Sequence, residues 1–391
     1  MIVMGGGPVG SHVAYRLADM GYEVVVLEKK ANLAGPVCCT GIVSRECVRA
    51  FGIDNSVILR EVKGARIFSP AGNRLDLWRS ETQACIVDRP AFNAALARRA
   101  RSKGAEYVLP CLVEGVKVGE NRIIAEVALQ SGESTTFEAR AGVIATGFGA
   151  KVVEGVELSK VGDFISGAQA QVETVVEEVE VYLGEDVAPG FFAWLVPTSP
   201  GKALAGLLSR RSPGKYLGKL LSSLAAQGKI ASAECELSYG GVPLKPLSRT
   251  YSDRLVVVGG AAGQVKPTTG GGIYYGLLCA DIAADILQQK LKKDALSAAD
   301  LAAYQRQWKN VLGGELKTGY RARKLYERLS DRQIDQIFAI IKAGAIDEAL
   351  LKSDDLSFDW HGAALIRLMG YQAVTAALRA MKLAFKLDAR G

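Results

Sequence analysis

The first 28 residues constrain the fold more than any other stretch of the chain. Met-Ile-Val-Met leads straight into Gly5-Gly6-Gly7-Pro8-Val9-Gly10, where Gly5, Gly7 and Gly10 meet a G-x-G-x-x-G spacing. A helical stretch over 11–20 follows, then an apolar run from Glu23 to Leu27 that ends at Glu28. That order predicts a βαβ unit shaped to hold a dinucleotide. Gly5 permits a tight turn, Gly7 lets the backbone approach a pyrophosphate, and Gly10 lets helix and strand pack closely. The helix N-terminus offers the phosphates unbonded N–H groups and a partial positive charge. Glu28 is placed to accept hydrogen bonds from a ribose. Only four residues precede the loop, so either the strand is short or the natural start lies upstream.

Size and composition bound the rest. A chain of 391 residues is expected to divide into two or three domains. A net charge of +7 suits anionic partners such as a phospholipid surface and is mild for nucleic acid, so no nucleic-acid partner is expected. The seven cysteines, at 38, 39, 47, 85, 111, 235 and 279, are odd in number and scattered, unlike a disulfide framework. With two histidines, His12 and His361, no metal site is expected. No apolar run reaches the ~18 residues needed to span a bilayer, and no charged segment and apolar core read as a signal peptide. The expected location is cytoplasmic, with membrane contact only from outside.

Along the chain, Asp88-Arg89-Pro90 opens a helix over 91–103, with proline in its first turn. Residues 61–87 read as short antiparallel strands, and 106–144 as four β-like runs ending in Ala145-Thr146-Gly147. Long alternation at 172–183 marks a strand-rich insert. The expected fold is α/β: a Rossmann-type dinucleotide-binding domain with an inserted antiparallel β-sheet substrate domain and a C-terminal helical region. The first takes residues 1–60, 85–150 and 251–297, the second 61–84 and 151–250, and the third 298–391.

A second glycine-rich element spans Gly259 to Gly276, after a buried strand at 254–258 and before a helix over 277–291. Its successive Gly270, Gly271 and Gly272 remove every Cβ, so a flat ring system can lie against bare backbone. Two such loops imply one long ligand held at both ends, which suits FAD better than NAD.

The chain resembles the geranylgeranyl reductase family, within the flavoprotein superfamily that includes aromatic hydroxylases. The resemblance covers nearly the whole chain. It rests on Gly5 to Glu28, Cys38-Cys39-Thr40-Gly41, Asp88-Arg89-Pro90-Ala91-Phe92 and, most specifically, Lys266 to Gly276. The family mark P-x-x-Y-x-W-x-F-P stands here as Pro189-Gly-Phe-Phe192-Ala-Trp194-Leu-Val196-Pro197, with Phe192 for tyrosine and Val196 for phenylalanine. The resemblance implies FAD contacts at Val9, Glu28, Cys39, Thr40, Arg89, Val113, Gly260, Gly272 and Ile273. Gly5, Gly7, Gly10, Gly41, Gly147 and Gly271 join them from the motifs above. The superfamily usually carries Gly-Asp where this chain has Gly259-Gly260, so weaker FAD retention than in relatives is expected.

Implied with the family is saturation of isolated C=C bonds in polyprenyl chains, most naturally on membrane ether phospholipids or a related prenyl lipid. An isolated trisubstituted alkene is a poor hydride acceptor, so protonation of one carbon must accompany hydride delivery to the other. The protein must then offer an apolar channel with aromatic faces toward developing positive charge. Phe192, Trp194, Pro197, Tyr274 and Tyr275 are the candidate walls. No catalytic proton donor is identifiable; tyrosine, cysteine and water stay open. The Cys38-Cys39 pair lacks the Cys-x-x-x-x-Cys spacing of disulfide reductases, which favours structural contact with the flavin.

No second Rossmann loop marks a built-in nicotinamide domain, so an external electron donor is expected, a ferredoxin or transiently bound NAD(P)H. Residues 362–387 carry apolar residues at helical spacing, with Arg367, Arg379, Lys382 and Lys386 among them. This reads as a packing helix with a solvated face, or as a basic amphipathic helix lying on an anionic membrane. The alternative activities are a flavin monooxygenase or halogenase on the same fold, since Phe192-x-Trp194-x-Val196-Pro197 also echoes a halogenase W-x-W-x-I-P. A non-catalytic lipid-binding flavoprotein is the third reading.

Overall fold

Strand Ile2–Met4 lies at the heart of a six-stranded sheet and pairs in parallel with Val25–Leu27 on one side and Gly142–Ile144 on the other. Leu255–Val257 extends the sheet in parallel beyond Gly142–Ile144, and Glu106–Val108 does so beyond Val25–Leu27. Strands this short and apolar suit a parallel sheet covered on both faces. Val3, Met4, Val143 and Ile144 are fully buried. A computed structural model describes residues 1–149, 152–156, 158, 162–352 and 357–362. The chain divides into two units, the first comprising Met1–Glu61, Ala84–Gly167 and Ser238–Tyr320, the second Val62–Gln83, Ala168–Leu237 and residues from Arg321 onward.

In the first unit, helix Pro8–Asp19 follows the first strand and helix Arg89–Arg101 follows Ala84–Val87. Asp88 caps the latter by accepting a bond from the Ala91 amide at 3.0 Å, and proline occupies its first turn. Residues 106–144 form five strands rather than the four expected, because Pro110, which has no amide proton, separates Glu106–Val108 from Cys111–Val118. Cys111–Val118, Ile123–Leu129 and Ser134–Ala139 make an antiparallel meander. Its buried Ile123, Ala125 and Val127 share a core with Ile2, Met4 and Ile144.

The second unit is built on a sheet in which Phe192–Ser199 lies between Lys202–Ser209 and Val179–Leu183, antiparallel to both. Gly64–Phe68 joins Val179–Leu183 in parallel, so the sheet is mixed, not wholly antiparallel as the sequence indicated. Helix Pro213–Ala226 covers one face, burying Leu217, Leu220, Leu221 and Leu224 against Ala193, Leu195 and Ala205. The alternation at 172–183 is not one strand: it breaks between Phe164–Glu173 and Val179–Leu183.

The boundary between the two units falls within helix Ala298–Tyr326. Helix Asp331–Ala343 belongs to the second unit and packs Ile334 and Phe338 on Leu75. The basic helical pattern expected over 362–387 lies almost wholly outside the described residues. Among the described residues no helix is long and apolar enough to cross a membrane, and no His, Cys, Asp and Glu grouping could hold a metal ion.

Candidate functional site

The first glycine loop lines a cleft of about 220 Å³ in the first unit. Gly5 turns with φ at +106°, and a Cβ there would lie 2.5 Å from the Ala145 carbonyl oxygen. A Cβ on Gly10 would lie 1.9 Å from the Gly5 carbonyl oxygen, so the helix can pass this close to the turn only with glycine. Gly7 is different: it has extended ψ, caps helix Pro8–Asp19 without a side-chain bond, and has nothing within 4 Å of where a Cβ would be. With no acidic residue in its first turn, the helix leaves its N-terminal amides to an anion.

Glu28 is 9% exposed and does more than face a ribose. It accepts from the Gly6 amide at 2.7 Å and the Lys30 amide at 2.9 Å, using one carboxylate oxygen for each. Each oxygen keeps a further lone pair, so the residue both shapes the loop and has capacity for a hydroxyl. Lys29, Lys30 and Arg89 surround the same cleft with positive charge.

The fit of a dinucleotide is decided by polar atoms that the chain leaves unpaired. Arg89 Nε and Nη1, Asn93 Oδ1 and Thr146 Oγ1 are buried without a hydrogen-bond partner, and all three residues line the cleft. Buried polar atoms are normally satisfied, and leaving one unmade costs about 1–3 kcal/mol. Two guanidinium donors, an amide acceptor and a hydroxyl gathered at a helix N-terminus suit a pyrophosphate and its sugars. Asn93 and Thr146 were not singled out from the sequence. The clue was present in Asn93, a polar residue one turn after Arg89 on the buried side of its helix.

The second glycine element meets the first through Val9. A Cβ on Gly276 would lie 2.5 Å from Val9 Cγ2, and one on Gly259 3.0 Å from it, so both glycines make the seat for this side chain. Gln264, fully buried, accepts from the Gly259 amide at 2.7 Å and donates to the Tyr304 hydroxyl at 2.9 Å. Gly260 lines the cleft, and a Cβ there would rest 3.6 Å from Gly147 Cα. Helix Ile273–Leu291 begins at Gly272 without a side-chain cap. It starts four residues earlier than the sequence indicated, which gives the loop a second open helix N-terminus.

Of the residues expected to touch the cofactor, Gly5, Gly7, Val9, Glu28, Arg89, Gly147 and Gly260 line the cleft. Gly10, Cys39, Thr40, Gly41, Val113, Gly271, Gly272 and Ile273 do not. Gly41 is nevertheless beside it: its Cβ would lie 2.4 Å from the Val87 carbonyl oxygen and 3.1 Å from Arg89 Cγ. Val113 packs against the core under the meander. Gly271 accepts from the Lys266 amide at 2.9 Å, closing the second loop on itself. Burial pushes the Cys38 thiol up, and its sulfur lies 3.7 Å from the Ser238 carbonyl oxygen.

The candidate wall residues are divided between the units. Tyr274 donates to Glu46 at 2.5 Å and Tyr275 is fully buried within the first unit. The Tyr275 ring is thus enclosed by the packing of its own unit. Phe192, Trp194 and Pro197 lie on strand Phe192–Ser199 of the second unit. The Trp194 indole lies across Gly206, where a Cβ would come within 2.7 Å of its ring.

Residues 1–215 match the model of the FAD binding domain family. Over 90% of the chain and 91% of the relative's length, the sequence is 30% identical to digeranylgeranylglycerophospholipid reductase of Methanocaldococcus jannaschii. A geranylgeranyl bacteriochlorophyll reductase-like protein from Thermoplasma acidophilum superposes with a TM-score of 0.84 at 22% identity, covering 97% of this chain and 98% of that one. A p-nitrophenol 4-monooxygenase from Pseudomonas putida follows the same fold less closely, with a TM-score of 0.69 at 17% identity over 95% of this chain and 97% of that one. With two glycine loops joined at Val9 and unpaired donors waiting at a helix N-terminus, the chain belongs to the family of FAD-dependent digeranylgeranylglycerophospholipid reductases.

Proposed function

We propose that the protein saturates isolated C=C bonds of geranylgeranyl chains carried on a membrane ether phospholipid or a closely related prenyl lipid. One observation carries this reading: the relative named for such a reduction matches over 90% of the chain, where the cofactor-domain match spans only residues 1–215. Bound and reduced FAD supplies the hydride. Gly5, Gly7 and the amides opening helix Pro8–Asp19 would hold its pyrophosphate, with Arg89 and Thr146 donating to phosphate oxygens and Asn93 Oδ1 accepting from a sugar hydroxyl. Glu28 takes a ribose hydroxyl. Gly271, Gly272 and Ile273 leave bare backbone at the head of the second helix for a flat ring, with Cys39, Thr40 and Gly41 as its neighbours.

Phe192, Trp194 and Pro197 form the apolar wall that excludes water and orients the prenyl chain, and their aromatic faces steady positive charge as an alkene carbon accepts a proton. The Tyr274 hydroxyl is committed to Glu46 within the first unit. The electron donor is external, a ferredoxin or a transiently bound nicotinamide. The lipid is met at the membrane surface, and flotation with anionic liposomes, with and without residues 361–391, tests that meeting.

The deciding experiment is anaerobic turnover of the reduced holoenzyme with a geranylgeranyl lipid. Flavin reoxidation matched by a mass gain of two hydrogens per bond is the expected result. Products that form only with oxygen would place the chain with the monooxygenases, and absence of any redox change would remove the reading.

A further inference from the structure

Among the described residues, the most heavily buried cation of the second unit sits beside the aromatic strand rather than beside a carboxylate of equal standing. Arg323, near the end of helix Ala298–Tyr326, is 4% exposed. Its guanidinium carbon lies 3.8 Å from the centre of the Phe191 ring and 4.8 Å from that of Tyr326. Its Nη2 finds no hydrogen-bond acceptor, and the nearest acid, Glu327, stands 3.6 Å from Nε. Glu327 is already engaged by Arg210 at 3.0 Å and Lys324 at 3.0 Å. Hydrogen bonding therefore does not account for where Arg323 points; the ring faces do.

Phe191 in turn leads into the strand. It is fully buried, and its carbonyl accepts from the Tyr326 hydroxyl at 2.8 Å. Its ring stacks on Phe192 at 4.7 Å, and Phe192 meets Trp194 edge-on at 6.2 Å. The turn before it is fixed from the other side. Gly190 has φ at +70°, a Cβ there would lie 2.7 Å from Arg210 Cγ, and the Arg210 amide donates to the Pro189 carbonyl at 2.9 Å. The front of the aromatic segment is thus gripped by the end of a helix more than a hundred residues later in the chain.

We infer that Arg323 is a positioning residue for the prenyl substrate: stacked on Phe191 and backed by Tyr326, it sets the angle of the Phe192 and Trp194 rings that face the substrate's prenyl chain. The inference rests on the proposed prenyl reduction and adds a specificity determinant that lies outside the Pro189–Pro197 motif. Arg323 itself does not touch the reacting atoms. Its effect belongs in substrate recognition, with flavin binding unchanged.

The test uses the full-length holoenzyme with two readouts. The first is anaerobic steady-state turnover with dithionite as reductant at varied concentrations of a geranylgeranyl lipid. The second is the indole N–H resonance of Trp194, assigned by its loss in Trp194→Phe. In Arg323→Met we expect KM to rise roughly tenfold with kcat little changed, the order of effect for a desolvated cation on a ring face. The Trp194 resonance should shift while that of Trp308 stays put. Arg323→Lys should recover part of the loss, and Phe191→Leu should add little when combined with Arg323→Met. If Arg323→Met does not fold, Tyr326→Phe, which removes only the hydroxyl bond to Phe191, takes its place in both measurements. A wild type that turns over the lipid while the variants keep its KM, or leave the Trp194 signal unmoved, overturns the inference. A wild type silent toward every prenyl lipid instead defeats the proposed function.

Discussion

A Cβ on Gly10 would sit 1.9 Å from a backbone oxygen, whereas one on Gly260 would rest at an ordinary 3.6 Å from its nearest neighbours. The two glycine loops of the cofactor cleft therefore use the same residue for different ends. In the first loop, Gly5 and Gly10 are dictated by the chain's own packing, since the turn and the helix behind it cannot close with any side chain. In the second, Gly259 and Gly276 are dictated by Val9, but Gly260 is constrained by neither contact nor backbone, having no positive φ. Gly7 stands with Gly260 on this count: nothing crowds it, so its lack of a side chain matters only once a phosphate arrives.

This division predicts which substitutions damage the fold and which damage only the ligand. Gly10→Ala should have the largest effect, because backbone atoms must separate to admit the methyl group. Purified variant should emerge colourless after gel filtration with added FAD, and the melting temperature of the apoprotein should fall by several degrees, as expected for ~2 kcal/mol or more of overpacking. Retained flavin would show that the helix can withdraw from the turn. Gly7→Ala should leave the apoprotein's melting temperature unchanged or slightly raised, since alanine there reduces only unfolded-chain freedom. FAD affinity should nonetheless weaken about 30-fold, the equivalent of ~2 kcal/mol, read by fluorescence quenching on titration. Equal losses of stability in both variants would break the distinction.

Gly260→Asp tests the second loop in the opposite direction. The space beside Gly147 and Phe148 admits the Cβ without strain, and a carboxylate there can accept from a ligand hydroxyl. Affinity for FAD should improve up to about tenfold, the worth of one charge-assisted hydrogen bond. An unchanged dissociation constant would mean that the aspartate cannot reach the cofactor.

The same contrast explains what was legible in the sequence. Strand, loop, helix, strand and acid at the N-terminus were readable because each element is local and Gly10 answers to Gly5 five residues away, although what crowds Gly5 is Ala145, far along the chain. The second loop was visible as composition, but its link to the first through Val9 joins residues some 250 apart in sequence and has no local signal. Asn93 and Thr146 escaped notice for a related reason: only the three-dimensional cleft shows that their buried atoms lack partners. Pro110 and the break between Phe164–Glu173 and Val179–Leu183 show the limit of alternation as a guide, since it marks strands without saying where pairing stops. Tyr275 shows a further limit, since an aromatic residue near a ligand loop reads alike in sequence whether its ring is open or buried, as it is here.

The smallest expected effect concerns the helices that carry the two loops, which are joined by a partly buried charge cluster. His12 Nε2 lies 2.8 Å from an Asp281 oxygen, and Arg16 bonds the same carboxylate as well as Asp285 at 2.7 Å. Burial alone would raise the Asp281 carboxyl, but the hydrogen bond from His12 and the charges of His12 and Arg16 outweigh it and hold the group below its ordinary value of 3.8. A carboxyl depressed in the folded state stabilises it above the unfolded value, and the contribution fades as pH falls through the lower, folded value. Asp281→Asn should therefore lower the melting temperature at neutral pH by roughly 2–4 °C, as one modest interaction does in a domain of this size. The variant should also lose less stability than wild type as the solution is acidified below about 4, where the wild-type contribution disappears. Because the cluster holds helix to helix and touches neither loop, FAD affinity at pH 7 should stay within about twofold. A large loss of flavin in Asp281→Asn would mean that the loops depend on each other through their helices, and that Val9 is not their main connection.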